Sequence, residues 1–319
     1  MRMMNNCLYC YEAMDVETDF HAKCAKAFFG TATVPPIPYS INEMNELARQ
    51  VVERSIAVPG VQPKLSMSVV KERKPFSDAR LTVVGALGGE YILKPPSEHY
   101  AEMPANEHVT MRIAEAFGMR VVPSSLIRLQ SGELCYITKR IDRAAKAEKI
   151  HMLDMFQITE AYDKYKSSME KIGKAIHAYS DNTMLDKIFY FELALFSFLT
   201  GNNDMHLKNF SLIKSESGWV LAPAYDLLNV ALVNPDDKEE LALTLDGKKK
   251  KLKVSHFVLL AEGMGLNNKQ IDAAFKRVVK NRELAITWIR KSFLSRKMKK
   301  DYLQIMESRY AQLKLVPKK

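Results

Sequence analysis

The sequence predicts an α+β protein in two lobes: a small lobe on an antiparallel sheet, then a larger helical lobe. Three observations lead there. Between residues 65 and 139, short strand-type runs alternate with turn residues. From Met152 onward the apolar residues recur mostly at helical spacing. The run Ile188–Thr200 is apolar nearly all round, as a buried central helix requires, and it is too short to span a bilayer.

Residues 1–30 form a small Cys/His module, and 31–40 a Pro-rich segment that reads as an extended linker. Residues 41–142 make the small lobe and 143–319 the large one. Ser40, with Glu43 three positions on, is a capping-box signature for a helix over Ile41–Val52. Strands follow at Leu65–Val70, Leu81–Val84 and Tyr91–Lys94, with Gly85, Gly88 and Gly89 in the last turn. Ala105–Phe117 has helical spacing and stops at Gly118. Val121–Leu129 and Leu134–Lys139 read as a hairpin turned at Ser131-Gly132. In the large lobe, helices are expected over Leu153–Ala161, Met169–Tyr179 and Met184–Leu199. A two-strand hairpin, Phe210–Lys214 and Trp219–Ala222, precedes further helices from Ser255 to Leu315.

The 319 residues suffice for two lobes, and the net charge is +10. The start of the chain lacks the apolar core of a signal peptide, so a cytoplasmic protein is expected. Two basic clusters, Lys248–Lys251 with Lys253 and Arg290–Lys300, suit nucleic acid, an acidic protein partner or solvated faces. Neither has the aromatic interleaving of a single-strand nucleic-acid binder.

Cys7 and Cys10, then His21 and Cys24, form two pairs with two residues inside each pair. Paired spacing of this kind wraps one tetrahedral Zn²⁺. Three thiolates and an imidazole leave no position for water, so the site is expected to be structural. So small a module has little core of its own, and metal binding would supply its folding free energy.

The densest chemistry lies at Asp204, with Asn209 five positions on and Asp226 after a hairpin. This is the part set for in-line phosphoryl transfer: one Asp to orient an attacking hydroxyl, an Asn and an Asp to hold Mg²⁺. The alternative is that both acids cap local turns. Lys94 ends a strand, where an ammonium can meet nucleotide phosphates, and Glu107 in the next helix can pair with it or face the helix dipole. His206 suits a phosphate contact or a loop brace. The loop from Ser55 to Lys64 holds one glycine, Gly60, so it carries neither a kinase Gly-rich loop nor a Walker A motif. With these parts, the small-then-large order becomes a bilobal protein-kinase-like plan.

The residues also carry a resemblance. Val61-Gln62-Pro63-Lys64-Leu65-Ser66, Tyr91-Ile92-Leu93-Lys94-Pro95, Asn106-Glu107, Thr138–Arg143, Asn202–Ser211 and Tyr225-Asp226-Leu227 resemble the HipA-like serine/threonine kinases, toxins of bacterial toxin–antitoxin pairs. The resemblance implies ATP with Mg²⁺, Asp204 as the catalytic residue, and Asn209 and Asp226 as metal ligands. It places Ala57, Gly60, Val61, Gln62 and Lys64 around the nucleotide phosphates, with Lys94 and Glu107. Lys139 and Ile141 fall on the hinge that meets adenine, and His206 and Tyr225 line the nucleotide site. Ser55 matches a loop serine that is autophosphorylated, ejecting the loop; phosphate charge beside ATP explains the direction of that switch.

Implied partners are a helix-turn-helix antitoxin, operator DNA through it, and a protein substrate such as an aminoacyl-tRNA synthetase. Two departures stand out. The long form's N-terminal subdomain of about a hundred residues, a size typical of an independent unit, is replaced here by the Cys/His module, so antitoxin contacts are expected to differ or to need another chain. Val58-Pro59 is inserted before Gly60. Two other readings compete: an aminoglycoside-type small-molecule kinase, separated by its phosphate acceptor, and a non-enzymatic zinc-containing DNA-bound regulator. Retention of Lys94, Asp204, Asn209 and Asp226 together argues against the last.

Overall fold

Strand β3 (Tyr91–Lys94) sits at the middle of a five-stranded antiparallel sheet, where its neighbours shield both edges. The computed structural model describes residues 6–14, 18–54, 64–70, 79–84, 88–144 and 148–315. The other strands of this sheet are β1 (Leu65–Val70), β2 (Arg80–Val83), β4 (Ser124–Arg128) and β5 (Leu134–Lys139), in the order β2-β1-β3-β5-β4. Leu65 pairs with Leu93, and Leu93 with Ile137, so apolar residues stack on one face.

The chain divides into two compact units. The first comprises residues 1–108, 122–149 and 291–293 and holds this sheet, with helices α1 (Ala22–Phe29) and α2 (Ile41–Arg54). The capping box at Ser40 forms: its amide donates to Glu43 Oε2 at 2.7 Å, and its Oγ accepts from the Glu43 amide at 3.4 Å.

The Pro-rich segment expected as an extended linker is also hydrogen-bonded to its surroundings. Leu81 N–H in β2 donates to the Pro36 carbonyl at 3.0 Å. Gln130 N–H, just past β4, donates to the Tyr39 carbonyl at 3.0 Å, and Ile37 bridges Leu129. Prolines cannot donate, but their carbonyls still accept, so this segment bonds edge strand β2 at Leu81 and the residues just past β4. The Cys/His module likewise packs on the sheet. Phe28 and Phe29 lie 5.8 and 5.9 Å from the Tyr91 ring, and Leu126 N–H donates to the Leu8 carbonyl.

The second unit comprises residues 109–121, 150–290 and 294–319. Its axis is α6 (Thr183–Leu199), buried nearly all round from Asp186 to Leu199. Asp186 is fully buried and accepts from Arg120 at 2.8 Å, Ser180 at 2.7 Å and the Leu221 amide at 2.6 Å, so its charge is satisfied.

The expected helix Leu153–Ala161 is instead strand β6 (Met152–Asp154) followed by the single turn α4 (Met155–Ile158). β6 pairs with β7 (Ser211–Ser215), which pairs with β8 (Gly218–Leu221), so the expected two-strand hairpin is a three-stranded sheet. Asp154 caps α4, its side chain accepting from the Gln157 amide at 2.8 Å.

α5 (Met169–Tyr179) is as the spacing predicts, and after the short α7 (Val230–Val233) four helices close the unit. These are α8 (Val254–Gly263), α9 (Asn268–Lys280), α10 (Arg282–Lys291) and α11 (Arg296–Gln312). Among the described residues, no helix is long and apolar enough to cross a membrane.

Candidate active site

In the first unit, Pro95 and Pro96 end the β3 ladder directly after Lys94, and the side chain turns into the interior. Lys94 Nζ meets Glu107 Oε1 at 2.6 Å, with side-chain exposures of 5% and 2%. It also lies 5.3 Å from the centroid of the Tyr136 ring. Burial and the Glu107 charge push the Tyr136 phenol upward. Helix α3 begins at Met103, two residues earlier than the sequence suggests. Glu107 therefore lies past the first turn, and its carboxylate serves Lys94 rather than the helix dipole.

Lys64 is exposed at the start of β1, and Lys139 and Ile141 are half-buried at the end of β5. Ser55, Ala57, Gly60, Val61 and Gln62 lie outside the described residues. Beside β5, Asp142 accepts from Arg140 at 2.9 and 2.7 Å and from Arg143 at 2.7 Å. Burial opposes its charge, but the hydrogen bonds and charge of Arg140, with the charge of Arg143, hold its carboxyl below the usual range.

In the second unit, α6 ends where the Thr200 hydroxyl turns back to the Phe196 carbonyl at 2.8 Å. Gly201 then takes φ 70°, and a Cβ there would meet Asn229 Oδ1 at 2.7 Å. Met205 and Leu207 are buried and anchor the loop. The Asn203 amide donates to Asp237 Oδ2 at 3.0 Å and to the Glu239 carbonyl at 3.1 Å.

Between these anchors, Asp204 is partly exposed, and its Oδ1 accepts from the Tyr165 hydroxyl at 2.8 Å. Burial, then the charge and hydrogen bond of Asp204, push the Tyr165 phenol upward, so it stays a donor. The His206 ring is buried and stands edge-on to Tyr165 at 5.1 Å.

Asn209 lies in a 3-10 turn, Leu207–Asn209. Its Oδ1 accepts from the His206 amide at 3.1 Å, and its Nδ2 donates to Asp226 Oδ2 at 2.8 Å. Asp226 reaches this position with φ 61°, a left-handed backbone that Asp tolerates better than most residues. Tyr225 is held by its hydroxyl, 2.6 Å from Ser211 Oγ and 2.9 Å from the Lys208 carbonyl, to which it donates.

The hard oxygens of Asn209 and Asp226 suit Mg²⁺ better than a soft metal. Tyr165 and Asp237 carried no motif signal. Each acts through a partner far off in sequence, and only the fold brings the pair together.

The Cys/His cluster also assembles. One ligand atom from each of Cys7, Cys10, His21 and Cys24 lies within 4.8 Å of the others. His21 Nδ1 is 3.4 Å from Cys10 Sγ, while its Nε2 is 3.2 Å from the Ala13 carbonyl. An Nε2–H donated to that carbonyl leaves the Nδ1 lone pair facing the thiols, the outer bond typical of a metal-bound imidazole. Burial and the Cys7 charge push the Cys24 thiol up to about 12. Three thiolates this close need a cation, so the donor set fits Zn²⁺. Cys135, by contrast, is a buried small hydrophobe in β5, its thiol pushed up to about 12 by burial.

The sequence matches the HipA-like C-terminal domain over residues 56–286. A Haemophilus influenzae protein with a provisional kinase name is 29% identical over 211 residues, covering 62% of this chain and 59% of its own length. The serine/threonine-protein kinase toxin HipA of Shewanella oneidensis is 27% identical over 255 residues, covering 72% of this chain and 56% of its own. The chain thus matches little more than half the length of these relatives.

Among solved structures, the Shewanella oneidensis HipA, HipB and operator DNA complex is similar with a TM-score of 0.68, at 21% identity over 87% of this chain and 71% of that chain. The Helicobacter pylori proinflammatory kinase CtkA gives 0.54, at 15% identity over 78% of this chain and 93% of that one. At these identities the likeness shows the fold: mixed α and β with an antiparallel sheet, shared with two kinases. With 231 consecutive residues matched to the family, from 56 to 286, the chain belongs to the HipA-like C-terminal domain family.

Proposed function

We propose that the protein is an ATP-dependent serine/threonine kinase and the toxin of a toxin–antitoxin pair. The observation that carries this is the Asn209 amide donating to Asp226 at 2.8 Å, on the loop that also presents Asp204 to Tyr165. Asp204 orients the acceptor hydroxyl and accepts its proton. The acceptor oxygen bonds to the γ-phosphorus as the bond to the β-phosphate oxygen breaks, and ADP leaves. Asn209 and Asp226 would hold Mg²⁺, which would supply neutralising charge for the phosphates. Lys94, fixed by Glu107, holds nucleotide phosphates, as do Lys64 and the backbone from Ala57 to Gln62. Lys139 and Ile141 meet adenine. Ser55 is the inactivating autophosphorylation site.

The partners are a helix-turn-helix antitoxin, with operator DNA through it, and a translation component such as an aminoacyl-tRNA synthetase as substrate. The Shewanella complex, which holds HipA with HipB and operator DNA, supports the first of these.

The test is phosphoproteomics of cells expressing the wild type against Asp204→Ala. Growth arrest and new phosphoserine or phosphothreonine sites are expected in the wild type alone. Equal toxicity in the two strains would remove catalysis as the mechanism.

A further inference from the structure

Tyr11 follows Cys10 directly, and its amide donates to the Cys7 carbonyl at 2.9 Å, closing the first ligand turn. Its φ is 64°, a left-handed conformation that costs any residue bearing a Cβ. That backbone is held in place by the turn that presents Cys7 and Cys10.

From this position the buried Tyr11 hydroxyl reaches His108 Nδ1 at 2.8 Å, across 97 residues of sequence. The two rings stand edge to face at 5.3 Å, and Phe293 packs against Tyr11 at 5.1 Å. His108 is fully buried in α3, adjacent in the chain to Glu107, and its ring lies 6.4 Å from Tyr136. Glu107 holds Lys94 at 2.6 Å, and Tyr136 lies beneath the same ammonium. Two buried polar bonds, Tyr11–His108 and Lys94–Glu107, are thus joined through the adjacent positions 107 and 108 of α3, all within the first unit.

We propose that the Cys/His cluster is a Zn²⁺ site that controls the Lys94–Glu107 pair, with Tyr11 as the positioning residue that couples them. With metal bound, the Cys7–Tyr11 turn is fixed, Tyr11 pins His108, and α3 holds Glu107 against Lys94. With metal lost, the left-handed turn relaxes, the Tyr11–His108 bond opens, and Glu107 loses its register. The role assigned to Lys94 rests on the kinase reading; the coupling itself does not.

The experiment therefore reads both. Metal content, amide exchange across 104–110 and ATP kinetics are measured on the full chain, for wild type with and without a zinc chelator and for Tyr11→Phe. Tyr11→Phe keeps all four metal ligands and the ring, and removes one hydroxyl. The expected result is one Zn²⁺ per chain in both proteins, with exchange across 104–110 faster by about tenfold in the variant, the scale of one lost buried hydrogen bond. Chelation should do the same to the wild type, with exchange in α8 and α9 unchanged. In turnover the variant should lose kcat by about tenfold with little change in zinc content.

Protein purified without metal, or exchange at 104–110 unmoved in Tyr11→Phe, overturns the coupling. Should chelation unfold the chain, the variant alone decides. A wild type that turns over no ATP overturns the kinase reading, while the exchange measurement still decides the coupling.

Discussion

Lys94 Nζ and Glu107 Oε1 lie 2.6 Å apart with both side chains almost wholly buried. A buried pair is costly to desolvate and costlier to break, since removing one partner strands the other. Glu107→Ala should therefore destabilise the protein by about 3 kcal/mol, read as a lower urea midpoint. Glu107→Gln keeps the shape and should cost less. A midpoint unchanged in Glu107→Ala would show that Lys94 finds water instead.

The Asn209–Asp226 contact makes a second, separable prediction. Asp226→Ala and Asp204→Ala should each abolish ATP-dependent labelling while leaving the unfolding midpoint within about 1 kcal/mol of the wild type. Tyr165→Phe removes the hydroxyl that orients Asp204 and should reduce kcat about tenfold with KM for ATP unchanged. A rise in KM alone would move Tyr165 from positioning Asp204 to holding nucleotide.

What the sequence disclosed follows the range of the interactions. α5 was legible end to end because Ser168 caps it locally and its apolar residues keep helical spacing. β1 and β3 were legible because Leu65–Val70 and Tyr91–Lys94 are bounded by turn residues. Leu153 and Asp154 read as the start of a helix because their strand character comes from β7, which lies some sixty residues later in the chain. The Pro-rich segment reads as an extended linker, and composition, which reveals its missing donors, hides the carbonyls that Leu81 and Gln130 use. Asp204, Asn209 and Asp226 stood out by spacing, while Tyr165 and Tyr11 did not. Each of those tyrosines bonds a residue far along the chain, and nothing in its immediate neighbours announces that.

Gly201 should not tolerate a side chain. Its φ is 70°, and an added Cβ would stand 2.7 Å from Asn229 Oδ1 and 2.9 Å from Ile305 Cγ2. Strain and overlap together should cost about 2 kcal/mol in Gly201→Ala, and because Asn202 to Asp204 follow at once, labelling should fall too. Crystals or exchange data showing the loop unmoved, with full activity, would refute this.

Asp142 contributes to the acid limb of stability. Its folded-state pKa is depressed by Arg140 and Arg143 against the opposing effect of burial. A depressed carboxylate binds its proton more weakly when folded than when unfolded, so its contribution is present above the ordinary Asp value near 4. It is lost as the pH falls through the lower folded value. Asp142 also holds Arg140, whose Nη1 donates to the Gly88 carbonyl at 2.9 Å, fixing the turn before β3. Asp142→Asn should therefore cost about 2 kcal/mol at neutral pH, and the gap to wild type should close progressively below about pH 4. Urea unfolding at a series of pH values checks this: a gap that stays constant into acid would assign the loss to packing of the turn, and a gap that widens would reverse the sign of the argument.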